Sequence, residues 1–123
     1  MSDAERVKSI KTLSPQEVKQ AMADRKIVLI DVREPAEFAA ERIHGALLFP
    51  LSTFDPAALP SDIDRTVVFH CGSGKRSADA IERCRRAGLP HDVHMEGGMM
   101  AWKAAKLPTV SLDVATGQVR DVR

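Results

Sequence analysis

Tyrosine is missing from this chain, and with one tryptophan and four phenylalanines the aromatic share of its 123 residues is only 4%. Proteins that hold single-stranded nucleic acid stack bases on aromatic rings, and this sequence offers little for that purpose. Charge of one sign is also lacking. Eighteen Lys and Arg face seventeen Asp and Glu, a net of +1, so no broad field draws the chain to nucleic acid or to a membrane surface. Any anion binding must be local. Cysteine is scarce too: Cys71 and Cys84 cannot form a disulfide framework, and a bridge between them is not expected because Cys84 falls within a helical pattern. No run approaches the ~18 apolar residues of a membrane span. Met1-Ser2-Asp3-Ala4-Glu5-Arg6 shows no apolar stretch of a signal peptide. His44, His91 and His94 have no ligand spacing with either cysteine, so no metal or other cofactor is expected. These absences predict a cytoplasmic protein with free thiols.

What is present is an alternation of strands and helices in a length that fits one domain. Ser14-Pro15-Gln16-Glu17 is a capping box with proline at the first helical position. Val18, Ala21 and Met22 continue an apolar stripe, predicting a helix over residues 15–24. Ile27 to Ile30 is a continuous apolar run, as in a strand covered on both faces. Pro35 opens a short helix to Glu41, Ala46 to Phe49 reads as a brief strand, and Asp55 to Leu59 as one helical turn. Residues 66–70 form the next strand. A helix follows over 77–87, with Ala80, Ile81 and Cys84 on one face and Gly88 ending it. Val93 to Met95, a Gly97-Gly98 turn and a helix over 99–105 complete the series. This order predicts the α/β class with a mostly parallel sheet. Residues 109–123 show no period and are expected to be a loosely ordered tail.

The chemistry concentrates in His70-Cys71-Gly72-Ser73-Gly74-Lys75-Arg76-Ser77, between a strand and a helix. Ligands of open parallel sheets bind beyond such strand ends. A thiol there meets inward-turned N–H groups and the positive end of a helix dipole. Surroundings of this kind lower a cysteine pKa from about 8.5 to roughly 3.5–7.5. Gly72 and Gly74 let the backbone turn its N–H groups inward. A cysteine that merely fills space needs none of this, so Cys71 reads as a nucleophile. The backbone of Gly72, Ser73, Gly74, Lys75 and Arg76 would supply the donors. Arg76 either draws in a dianion or braces the loop through an ion pair. Lys75 either attracts the same dianion or is a solvated charge. Ser77 either bonds the sulfur or caps the next helix. His70 is expected to be packed or hydrogen-bonded, and Asp31 to support the loop as a partner for backbone or for an arginine.

Cys71-x-x-Gly74-x-Arg76-Ser77 resembles the active-site loop of the rhodanese family of sulfurtransferases. Two further stretches agree in order and spacing: Asp31-Val32-Arg33-Glu34-Pro35-Ala36-Glu37-Phe38 through Ile43-His44-Gly45-Ala46, and Glu96-Gly97-Gly98-Met99-Met100-Ala101-Trp102 through Leu107-Pro108. The resemblance covers residues 12–108 as one domain, with 109–123 left as the tail. It implies a largely parallel five-stranded sheet with helices on both faces. It also implies that Cys71 takes sulfane sulfur from thiosulfate or another persulfide donor and passes it to a thiol or cyanide acceptor, which a protein can supply. His44 and Lys106 depart from the family pattern. Small cysteine phosphatases and arsenate reductases have a similar loop with five residues between Cys and Arg; only four separate Cys71 from Arg76, a ring sized for one sulfur more than for a phosphoryl group. A non-catalytic interaction module is the third reading, and the intact cysteine loop weighs against it.

Overall fold

The computed structural model of the chain describes residues 10–61 and 63–121. Five parallel strands form the main sheet, in the spatial order β1 (Lys11–Leu13), β6 (Val93–Met95), β5 (Thr66–His70), β2 (Ile27–Asp31) and β4 (Leu47–Leu48). The long strands lie in the middle because they are apolar on both faces. Along β5, Val68 joins one core while Val67 and Phe69 join the other, as alternation of side chains requires. One core packs Val18 of helix α1 (Pro15–Ala23) with Met99 and Trp102 of helix α4 (Gly98–Ala104). The opposite core packs Ala80, Ile81 and Cys84 of helix α3 (Lys75–Arg86). Helices therefore cover both faces of the sheet, and the α/β class read from the sequence is the one observed.

Helix α2 (Pro35–Ala40) follows β2 and leads directly into β3 (Glu41–Arg42). Here the structure corrects the sequence reading of the tail. Residues 110–112 form β7, antiparallel to β3, and residues 119–121 form β8 on its far side. Val110 is buried, and the Trp102 indole donates to the Pro108 carbonyl at 2.9 Å. Pairing with β3 holds this segment, not an internal period. The first strand, β1, was equally hidden from pattern reading: it is three residues long, and Lys11 and Thr12 are exposed. No helix among the described residues is long and apolar enough to cross a membrane.

Candidate active site

Strand β5 ends at His70 and helix α3 begins at Lys75, so Cys71 sits where the chain turns from one into the other. Gly74 is the N-cap of α3 at φ +110°, a conformation that favours glycine. Of the two readings of Ser77, the helix cap is therefore not the one observed. Ser77 lies inside the first turn, and its hydroxyl donates to the Gly74 carbonyl at 3.1 Å.

The Cys71 side chain is buried. Its Sγ accepts the backbone N–H of Gly74 at 3.1 Å and of Ser77 at 3.4 Å, with the Ser77 hydroxyl oxygen at 3.7 Å. Burial by itself pushes the thiol pKa up. The N–H groups of Ser77, Gly74 and Ser73 and the Ser77 hydroxyl outweigh it, and the net direction is down. Cys84 lacks such donors, and burial pushes its thiol up to about 11. Two cysteines in one core are thus set apart by backbone geometry.

The loop is held open toward sulfur from outside. Two N–H groups in the first turn of α4, at Met99 and Met100, bond the carbonyls of Cys71 (2.7 Å) and Gly72 (3.1 Å). A trans peptide points its N–H opposite to its carbonyl, so these bonds turn the following N–H groups of the loop away from α4. Gly98 makes the contact possible: a Cβ on it would lie 2.3 Å from the Cys71 carbonyl oxygen.

A buried chain of polar groups backs the cysteine. His70 Nδ1 lies 3.2 Å from the Cys71 carbonyl oxygen and its Nε2 lies 3.4 Å from Asp31 Oδ2. Asp31 in turn binds the Arg33 guanidinium at 2.8 Å and the Arg33 backbone N–H at 2.9 Å. Burial raises the Asp31 carboxyl pKa, but the His70 ring beside it and the bonds from Arg33 prevail and hold it well below the usual carboxylate range. Asp31 thus reaches the loop through His70 and not by bonding its backbone. Arg33, its partner two residues on, was not singled out in the sequence.

Arg76 does not point its guanidinium at Sγ. It pairs with Glu37 of α2 through two bonds, 2.7 and 3.0 Å. Those bonds outweigh partial burial and pull the Glu37 pKa down to about 2. Of the two sequence readings, the bracing one describes this geometry. Lys75 is exposed, and Ser73 is exposed at the tip. Like Arg33, Glu37 and His94 were given no part in the site by the sequence. His94 Nδ1 lies 2.8 Å from the Ser77 hydroxyl oxygen, a contact no local spacing announces. Among the described residues no group of three His, Cys, Asp or Glu is placed to hold a metal ion. A cavity of about 690 Å³ between α1, β2 and Trp102 involves no residue of the 70–77 loop.

Fold and site together define a parallel α/β domain built around one hydrogen-bonded thiol at a strand-to-helix turn. The chain belongs to the rhodanese-like domain family, whose model matches residues 14–105. It is 42% identical over 99 residues to an uncharacterized protein of Synechocystis, a match covering 80% of this chain and 55% of that protein. The chain thus spans about half the length of that relative. It is 31% identical to a protein named sulfurtransferase from Allochromatium vinosum, over 83% of this chain and 96% of that one. Among solved structures, the human single-domain sulfurtransferase TSTD1 is 31% identical with a TM-score of 0.64, covering 76% of this chain and 95% of that one.

Proposed function

We propose that the chain is a sulfurtransferase that carries sulfur as a Cys71 persulfide. The thiolate attacks the outer sulfur of thiosulfate, the sulfur–sulfur bond of the donor breaks, and sulfite leaves with the electron pair. Cys71-S-S⁻ then yields its terminal sulfur to a thiol or to cyanide, and the thiolate returns. A small-molecule or protein persulfide serves as donor by the same exchange. A reducing cytoplasm is the fitting compartment.

The observation that carries this reading is the pair of N–H bonds to Cys71 Sγ from Gly74 and Ser77. They favour an anion at sulfur before any substrate arrives. Exposed Lys75 gives a dianionic donor a positive approach. The phosphatase reading is weakened by Arg76, whose guanidinium is committed to Glu37 and does not clamp an anion at Sγ. Because Cys71 is buried, sulfur loading requires the 72–76 loop to yield.

Intact mass after incubation with thiosulfate tests the proposal. The expected result is one added sulfur, lost on adding cyanide with formation of thiocyanate, and absent from Cys71→Ser. Failure to load together with Cys71-dependent release of phosphate from an aryl phosphate would overturn it. Loading only from a protein persulfide would replace thiosulfate as the donor.

A further inference from the structure

With the loop closed, the described residues offer the Cys71 thiol proton a single side-chain acceptor. Cys71 is buried, and the polar groups that reach its Sγ are the N–H groups of Ser73, Gly74 and Ser77, which are donors, and the Ser77 hydroxyl at 3.7 Å. Of these, only the hydroxyl oxygen can accept a proton. The hydroxyl's single proton has two acceptors in reach, the Gly74 carbonyl at 3.1 Å, which does not take up a proton, and, closer, His94 Nδ1 at 2.8 Å, and the transfer runs when it is turned to His94. His94 lies on β6 and is half-buried, so its ring stands between the enclosed sulfur and the surface.

We propose that Ser77 and His94 form a relay that removes the proton from the Cys71 thiol. The S–H bond breaks toward the Ser77 oxygen as the Ser77 O–H proton moves to His94 Nδ1. The products are a thiolate, an intact serine hydroxyl and an imidazolium that keeps the proton beside the thiolate. Charge and atoms balance without any co-reactant. Ser77 touches the reacting sulfur; His94 acts through it and is a positioning residue.

The surroundings suit the task. Burial holds the His94 ring toward its neutral, proton-accepting form, and Glu96 just beyond β6 opposes that effect only in part. Its cross-strand neighbours, Thr12 on β1 and Phe69 on β5, carry no charge. From α3 the group that meets the ring is Ser77. The backbone N–H groups stabilise the thiolate, and a His94 imidazolium that holds its proton adds a nearby positive charge that favours it further.

The inference rests on Cys71 acting as a thiolate nucleophile, as in the proposed function, yet alkylation tests it without any sulfur donor. Rates of Cys71 alkylation by iodoacetamide and of single-turnover loading from thiosulfate are measured near pH 6.5 in the full chain. His94→Ala and His94→Asn are compared with the parent, and circular dichroism checks their folding. With the base that holds the proton gone, the apparent Cys71 pKa should rise by about one unit, and both variants should lose about tenfold in each rate at this pH. Added imidazole should restore His94→Ala in proportion to its concentration. Unchanged alkylation in folded His94→Ala would overturn the relay. So would full recovery in His94→Asn, which keeps a hydrogen bond to Ser77 but takes up no proton, because then the ring only positions the serine. If alkylation slows and imidazole rescues it while thiosulfate loads neither parent nor variant, the relay stands and the sulfur-transfer reading fails.

Discussion

Arg76 in the first turn of α3 and Glu37 in α2, thirty-nine positions apart, face each other through two parallel bonds of 2.7 and 3.0 Å. This fork-to-fork pair ties the cysteine loop to the segment after β2. It fixes Arg76 as a brace and leaves the backbone as the principal stabiliser of the sulfur.

Removing that brace has a pH signature. The Glu37 pKa is drawn down to about 2, so its contribution to stability is complete above the unfolded value of about 4.3 and is lost as pH falls through about 2. The pair is partly exposed, and its worth is held to roughly 0.2–1 kcal/mol. Urea unfolding of Glu37→Gln should show that small loss at pH 7 and progressively less of it as pH falls through about 2. With Arg76 freed, KM for thiosulfate should fall by up to about fivefold, the equivalent of ~1 kcal/mol between charges 4 Å apart in water. A rise in KM would show that the brace itself serves binding.

Asp31→Asn should be far more costly. It strips the buried Arg33 guanidinium of its charged partner and removes the acceptor facing His70. Breaking a buried pair costs about 3–5 kcal/mol, to be read from urea midpoints at pH 7. The Asp31 pKa is lowered in the folded protein, so its stabilisation is present above the unfolded pKa of about 3.9 and drains away below it. The gap between the parent and Asp31→Asn should therefore narrow on acidification below about pH 4.

Two glycines with similar φ should respond very differently to alanine. At Gly98 (φ +58°) the new methyl would lie 2.3 Å from the Cys71 carbonyl oxygen and 2.7 Å from the Gly72 carbonyl carbon. The cysteine loop would have to retreat, at a cost of about 1–3 kcal/mol for overpacking and with loss of sulfur loading. At Gly88 (φ +77°) nothing lies within 4 Å, so Gly88→Ala pays only the left-handed backbone, about 1–2 kcal/mol, and keeps its loading rate. Thermal unfolding and intact mass after thiosulfate distinguish the two.

The two thiols should titrate apart. Backbone donors lower Cys71, while burial raises Cys84 to about 11. Alkylation near pH 7.5 followed by peptide mass mapping should label Cys71 and spare Cys84. Labelling of Cys84 first would contradict the assignment of the reactive thiol.

The central strands were legible because β2 and β5 are apolar on both faces, and long apolar runs say strand whatever surrounds them. The composition of the cysteine loop was legible for a related reason: a strand end, glycines and a helix start are neighbours in sequence, so the N–H groups that meet Sγ lie within six residues of it. The first turn of α3 was misjudged because Ser77 is a good capping residue in isolation. Only the left-handed turn at Gly74 shows that the helix starts earlier. Strands β7 and β8 escaped notice since pairing with β3, not apolar alternation, makes them strands.

By itself, then, the sequence determined the class of fold and which cysteine stands in the glycine-containing turn between strand and helix, because periodicity and turn chemistry act between near neighbours. The tertiary structure decided what surrounds that cysteine. Glu37 meets Arg76, His94 meets Ser77 and Gly98 meets the Cys71 carbonyl only after the sheet has set its strand order. Those contacts join side chains and backbone whose separation along the chain carries no local signal, and the packing of helices on a parallel sheet is what brings them together.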